Sequence, residues 1–403
     1  MFLSLILILL ITFSGLSLTY LFAEDEPFVW RLAAGNVIGA AVFSLIGFII
    51  ANLFGLYPLT VLVSLLLALA PLILFARKDL RGRFRRDWQS ARGKVQNTSY
   101  KRILRIAYYA AFFFVFWQFF ERAMFETAQG IFTGGSQNLG DLPFHLGAIF
   151  SFTEAQNFPP QNPSFAGATF SYPFMADFLT ACFVSLGAKV QDAMFVQNVS
   201  WALSLLVILE RFVFKLTNNR LAGKIAPFLL FFSGGLGFLW FFNDFWQQGK
   251  GFFDFLSNLP RDYTTGEKFS WGNPMVVLFI TQRSLLLGMP LTIIVLGFLW
   301  KIFSREKKDS ISETDVTKLS SFPLAPFIVG LLAGLLPLIH LHSLAALFVV
   351  SAFLLALRPE NWRELISFAL GVSIIAVPEL LWAMSGSASR TSEFIAWHFG
   401  WNA

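Results

Sequence analysis

The sequence predicts an all-α membrane protein, a polytopic helical bundle of about ten spans with one long extracytoplasmic loop that carries interfacial helices. Three observations point there. The 403 residues are 56% hydrophobic and 13% charged, with a mean hydropathy of +0.64, values that belong to polytopic membrane proteins. Apolar runs of span length recur along the chain, and the basic residues collect in the short loops between them. Between two of those runs, Glu121–Ala188 is long, polar and proline-rich, yet too aromatic and too weakly charged for disorder. The net charge of +6 therefore reflects orientation in the membrane, not nucleic-acid binding. A single cysteine, Cys182, excludes an internal disulfide and a cysteine zinc site.

Taken in order, residues 1–76 form a three-span segment with runs at Met1–Phe22, Leu32–Phe54 and Leu59–Ala76. The first lacks a positive leader and a small-residue cleavage site, so it reads as a retained helix. Residues 77–105 form a basic loop with Arg77, Lys78, Arg81, Arg83, Arg85, Arg86 and Arg92. Such a loop belongs in the cytoplasm, where it meets anionic lipid headgroups. The sequon Asn97-Thr98-Ser99 within it is then a chance match. Residues 106–403 form the transmembrane body, with 121–188 as its site loop. Its spans are expected at Leu104–Phe120, Ala193–Phe214, Ile225–Phe242, Ser284–Phe303, Phe322–Leu338, Ser343–Leu357 and Leu365–Ala383. The glycines of Ser233–Gly237 suit close helix packing.

Tyr172–Gly187 decides the parity. It is short of the roughly 20 residues a span needs, opens with Tyr-Pro and contains Asp177. If it does not cross, the groups Lys215/Arg220/Lys224, Arg305/Lys307/Lys308 and Arg358/Arg363 all fall inside; if it crosses, all fall outside. The positive-inside rule selects the first, with both termini outside. Four separated pieces then meet the outer face: Asp141/His145, the loop Asn243–Arg283, the turn Leu338–Ser343 and the tail Ser385–Ala403.

Asp141 and His145 are four apart and share a face if a helix starts near Pro143. They read as a carboxylate base with an orienting histidine, or as a plain helix cap at Asp141. His340 and His342, with Asp141 and His145, offer ligands for a divalent metal; hydrogen-bonded interfacial histidines are the blander reading. Arg283, with Gln282 beside it, reads as a phosphate contact or as an arginine snorkelling to headgroups. Tyr172, Asp177 and the intramembrane Glu379 complete the candidate substrate contacts.

An outer loop opening with an acidic residue, Asp141, followed by a Tyr172-Pro173-Phe174 segment and a multi-span body, resembles the C-superfamily (GT-C) of polytopic glycosyltransferases. The likeness is to the polyprenyl-phosphate-sugar-dependent group that includes the protein mannosyltransferases and aminoarabinose transferases. It covers about the central half of the chain and is architectural. The resemblance implies an enzyme of the cytoplasmic membrane that moves sugar from a polyprenyl-phosphate donor to an acceptor hydroxyl on the extracytoplasmic face. It implies Asp141 as the catalytic base. Many members carry an acidic pair there; here Leu142 follows Asp141. The competing class is a transporter or lipid flippase using Asp177, Glu379 and the histidines as coupling groups. No internal repeat and no paired broken helices speak for it.

Overall fold

The computed structural model describes residues 1–96, 100–235, 237–249, 251–261, 263, 272–304 and 322–384. Apolar runs fold as helices because a backbone amide in lipid must find its partner within its own segment. The N-terminal unit is α1 (Phe2–Thr19), α2 (Phe28–Phe54) and α3 (Pro58–Leu69), the last extended by a 3-10 stretch to Ala76. The basic loop is itself a helix, α4 (Lys78–Gln96), followed by α5 (Tyr100–Ala123). The site loop folds as a small antiparallel hairpin, β1 (Phe125–Thr127) and β2 (Gly130–Phe132), then α6 (Asp141–Thr153) and α7 (Met175–Ser185). The body continues as α8 (Val190–Thr217), α9 (Arg220–Phe232), α10 (Phe238–Gln248), α11 (Phe252–Ser257) and α12 (Arg283–Phe303). It closes with α13 (Leu324–Gly334), α14 (Pro337–Leu357) and α15 (Trp362–Met384).

Seven of the described helices are long and apolar enough to cross a membrane: α1, α2, α3 with its extension, α5, α12, α14 and α15. The expected spans at Ala193–Phe214, Ile225–Phe242 and Phe322–Leu338 are not among them. α8 has the length, at 28 residues, but Gln197, Asn198, Glu210 and Arg211 dilute its apolar run. The second expected span is two helices. α9 stops at Phe232, and the side chain of Asn273 donates to the freed carbonyls of Phe231 and Ser233 at 3.0 and 2.7 Å. The glycines read from the sequence as a packing motif instead mark this break, where glycine's backbone freedom penalises a continuous helix. The third is cut short: α13 has 11 residues and ends ahead of Pro337, which starts α14. The turn expected at Leu338–Ser343 lies inside α14 as a kink at His340 (φ −160°, ψ 91°).

The helices share two ends. At one, Glu26 pairs with Arg211 and Lys215, and Asp25 with Lys301, which joins the α1–α2 loop to the C-termini of α8 and α12. Lys301 beside Asp25 holds that carboxyl below its ordinary range. α4 docks here through Leu80, Phe84 and Asp87, the last bonded to Tyr20 and the buried Arg31. Its outer side exposes Arg81, Arg85, Trp88 and Arg92. At the other end the Met1 amino group pairs with Asp192 at the start of α8. There Gln191 reaches back to the Met124 carbonyl, 3.3 Å away. The chain therefore leaves α5 and enters α8 at the same end, with the 11-residue α7 between them in sequence. Gln156 pins the loop after α6 to the α2–α3 turn, bonding both the N–H and the carbonyl of Leu56.

Two glycine crossings bring backbones together. Gly35 and Gly39 of α2 meet Ile11–Leu16 of α1, and Gly330 and Gly334 of α13 meet Phe368–Ala376 of α15. A methyl group at Gly39 would overlap the Ile11 carbonyl, so the helices can only approach this closely through small residues. Gly39→Leu is expected to lower the thermal unfolding midpoint by the equivalent of about 3 kcal/mol or more, the upper range of overpacking. An unchanged midpoint in detergent would mean that α1 and α2 do not cross at this distance.

Candidate functional site

The site end of the bundle centres on a buried polar cluster. α7 supplies Asp177 and Thr180, α8 supplies Gln197 and Asn198, α12 opens with Arg283, and α6 contributes His145. Arg283 and Asp177 are each 1% exposed and His145 2%, so each must find its partners within the protein. Arg283 Nη1 binds Asp177 Oδ1 at 2.8 Å. Its Nη2 meets Thr180 Oγ1 at 3.0 Å and Gln197 Oε1 at 2.9 Å, and its Nε meets Asn198 Oδ1 at 3.1 Å. The second Asp177 oxygen lies 2.7 Å from His145 Nδ1. His145 Nε2 lies 2.9 Å from the Thr281 carbonyl oxygen. One arginine thus ties α7, α8 and α12 together, and one histidine adds α6.

The sequence readings of these residues change accordingly. Arg283 does not snorkel to headgroups and does not present its fork to a phosphate, because its guanidinium is buried and committed to four side chains. Asp177 is its counter-ion, not a substrate contact at an interface. His145 shares a helix face with Asp141 but turns inward to Asp177. Burial alone would lower its pKa; the charge and hydrogen bond of Asp177 outweigh that, and the net direction is up.

Asp141 is a different case. α6 begins at Asp141 itself, with Gly140 as N-cap and no side-chain cap bond. The capping role expected as one alternative is therefore absent. Its carboxylate is half-buried and, among the described residues, has no hydrogen-bond or ion-pair partner. Tyr172 lies near it and the cluster, its hydroxyl facing Ser284, with Asp177 and Asp141 close enough to act on it. Burial first, and then Asp177, push the Tyr172 phenol up. Phe144 packs edge-on against the Tyr172 ring at 5.0 Å. Gln282 is exposed at the start of α12. A small cavity is lined by Phe120, Met124, Leu142 and Asn138, with His145 and Arg283 on its polar side; Asp141 is not in its lining.

The remaining candidates go elsewhere. His340 and His342 sit in α14 with ring centroids 5.5 Å apart, and His340 Nδ1 is bonded to Ser343 Oγ at 2.9 Å. His340 packs against Gly288 of α12. Among the described residues no three His, Cys, Asp or Glu side chains stand together as a metal site. The shared set Asp141, His145, His340 and His342 is thus not assembled, and both nitrogens of His145 are already engaged. Glu379 is buried in α15 and accepts the Leu338 N–H at 3.1 Å, which caps the first turn of α14. The tail Ser385–Ala403 and the sequon at residues 97–99 lie outside the described residues.

Sequence reasoning missed Thr180, Gln197, Asn198 and Asn273. An adjacent Gln-Asn pair in the middle of an otherwise apolar helix was the available signal, since polar side chains inside a membrane helix face partners and not lipid. No protein-family model, curated protein or solved structure matches the chain.

Proposed function

We propose that the protein is a membrane glycosyltransferase that moves a sugar from a polyprenyl-phosphate-linked donor to an acceptor hydroxyl, with inversion and with Asp141 as general base. One observation carries the reading: a half-buried carboxylate at the head of a helix, unpartnered among the described residues, one helical turn before the buried His145–Asp177–Arg283 cluster. Buried carboxylates that stabilise a fold are paired; one left free and half-exposed is available to take a proton. In the proposed step Asp141 removes the acceptor hydroxyl proton as that oxygen attacks the anomeric carbon, and the polyprenyl phosphate leaves from the opposite face. The exposed apolar flank of α5, with Ile103, Leu104, Ile106, Phe113 and Phe114, gives the lipid tail a wall, and Tyr172 and Gln282 are also exposed. Arg283 shapes this site through Asp177 and is not assigned to the phosphate.

The chain sits, in this reading, in the cytoplasmic membrane with about ten crossings, the count reached if α8, the α9–α10 pair and α13 with the start of α14 also traverse. The end bearing α4, Arg211, Lys215 and Lys301 faces the cytoplasm by the positive-inside rule, and Asp141 faces the other side. The exposed stripe Arg81, Arg85 and Arg92 meets anionic headgroups. Ser90→Cys tests both statements, because the native Cys182 is buried. An impermeant thiol reagent is expected to label position 90 only from the cytoplasmic side. An environment-sensitive dye there should shift on addition of anionic lipid. Labelling from outside would reverse the whole arrangement.

The function itself is tested in proteoliposomes with a panel of polyprenyl-phosphate sugars and hydroxyl acceptors. Sugar transfer by the wild-type protein is the expected result. Donor movement between leaflets without any transfer would replace this reading with the transporter one.

A further inference from the structure

His145 has a hydrogen-bond acceptor at each ring nitrogen. Nδ1 faces Asp177 Oδ2 at 2.7 Å and Nε2 faces the Thr281 carbonyl oxygen at 2.9 Å. A backbone carbonyl can only accept. The Asp177 carboxylate, ion-paired through its other oxygen with the Arg283 guanidinium at 2.8 Å, likewise presents an accepting oxygen. A neutral imidazole has one N–H and one lone pair. Either tautomer would therefore set a lone pair against an acceptor inside a buried site, leaving one bond unmade. The doubly protonated ring satisfies both.

We propose that His145 is a positioning residue held as an imidazolium, whose two N–H groups clamp α6, and with it Asp141, between α7 and the turn into α12. Only the consequence for transfer rests on the reading of Asp141 as base; the clamp stands on its own geometry. His145 lies one helical turn after Asp141, so the Asp141 carboxylate is fixed by a residue it does not touch. The groups facing His145 are consistent with the charge. α7 brings Asp177 and α12 brings Arg283, the two charged side chains that act on it; Asp141 lies one turn away on α6 itself. Around the cavity α5 and α8 bring Phe120, Met194 and Asn198, none of which titrates. Asp177 and Arg283 balance each other, which leaves the cluster one positive charge in surplus, one helical turn from Asp141.

The linkage has a definite sign. His145 is raised above its ordinary value, so the clamp is complete below about pH 6.5 and is lost as the pH rises through the higher folded value.

The experiment is nitrogen NMR of ¹⁵N-histidine-labelled protein in nanodiscs, with His340, His342 and His398 replaced by Gln so that only His145 reports. At pH 7.5, where a free imidazole is neutral, both ring nitrogens are expected at protonated N–H positions. A neutral-tautomer pattern at that pH would overturn the proposal. A nitroxide at Leu139→Cys, two residues before Asp141 and 64% exposed, supplies the positional readout. It is expected to be restrained in the wild-type background and mobile in His145→Gln, which keeps a donor but no charge; equal mobility would refute the clamp. Neither readout involves sugar transfer, so a failure of the transferase reading would leave both results standing.

Discussion

Arg283→Ala should destabilise the folded protein by about 3–5 kcal/mol, the cost of breaking a buried ion pair by removing one partner. A sequence-only reading expects something milder, a loss of lipid-phosphate binding with the fold intact. The geometry decides between them. Arg283 makes bonds to Asp177, Thr180, Gln197 and Asn198 from a position 1% exposed. An ordinary side-chain hydrogen bond between membrane helices contributes only about 0.6 kcal/mol, so the bonds to the three neutral groups do not set the size of the effect. The orphaned Asp177 carboxylate does. His145 would still pair with it, which places the effect towards the lower end of the range. Arg283→Lys keeps a charge for Asp177 but cannot reach Asn198 and Gln197 with the same planar fork, so an intermediate loss is expected. The measurement is thermal unfolding in detergent for the three proteins side by side. A wild-type midpoint for Arg283→Ala would show that the cluster does not hold α7, α8 and α12 together.

How far the sequence foretold this site follows from the kind of signal each residue sends. Apolar length is a local property, so α1, α2, α3, α5, α12, α14 and α15 were legible within a few residues. The shortness of the helix within Tyr172–Gly187 was legible as well: α7 has 11 residues, fewer than a span needs. Asp177 and Arg283 were visible as expensive residues in apolar surroundings, but their pairing was not. They are 106 residues apart, and each alone suits a substrate as well as it suits a counter-ion. Arg31 went unremarked for a related reason: its partner Asp87 lies in a stretch whose basic residues drew the attention to lipid. The helix break after Phe232 was misread because glycines that allow close packing also allow a chain to leave a helix. What separates the two is a distant capping group, here Asn273. At Gly35, Gly39 and Gly371 the same residue type does mark a crossing, and the spacing of four in Gly35–Gly39 was the sign to read.

Asp141→Asn is expected to leave the fold intact and to slow sugar transfer by at least about 100-fold, the lower bound for losing a general base. The substitution is chosen because it isolates the proton. Asn has the shape of Asp and stays at the first position of α6, but its amide cannot accept a proton from the acceptor hydroxyl. The fold should tolerate it, since the Asp141 carboxylate makes no ion pair or hydrogen bond among the described residues and Gly140 is the cap. Losing one acidic group from a first turn costs roughly 0.3–1 kcal/mol through the helix dipole, far less than the 2.7 kcal/mol that a 100-fold rate loss represents. A purely structural effect and a catalytic one therefore differ in both size and readout. The decisive comparison is the rate in proteoliposomes against the unfolding midpoint. A slow Asn variant with a near wild-type midpoint and unchanged donor binding places the proton transfer at Asp141. Near-normal transfer by the same variant would remove Asp141 from the chemistry and leave its unpaired carboxylate without a catalytic account.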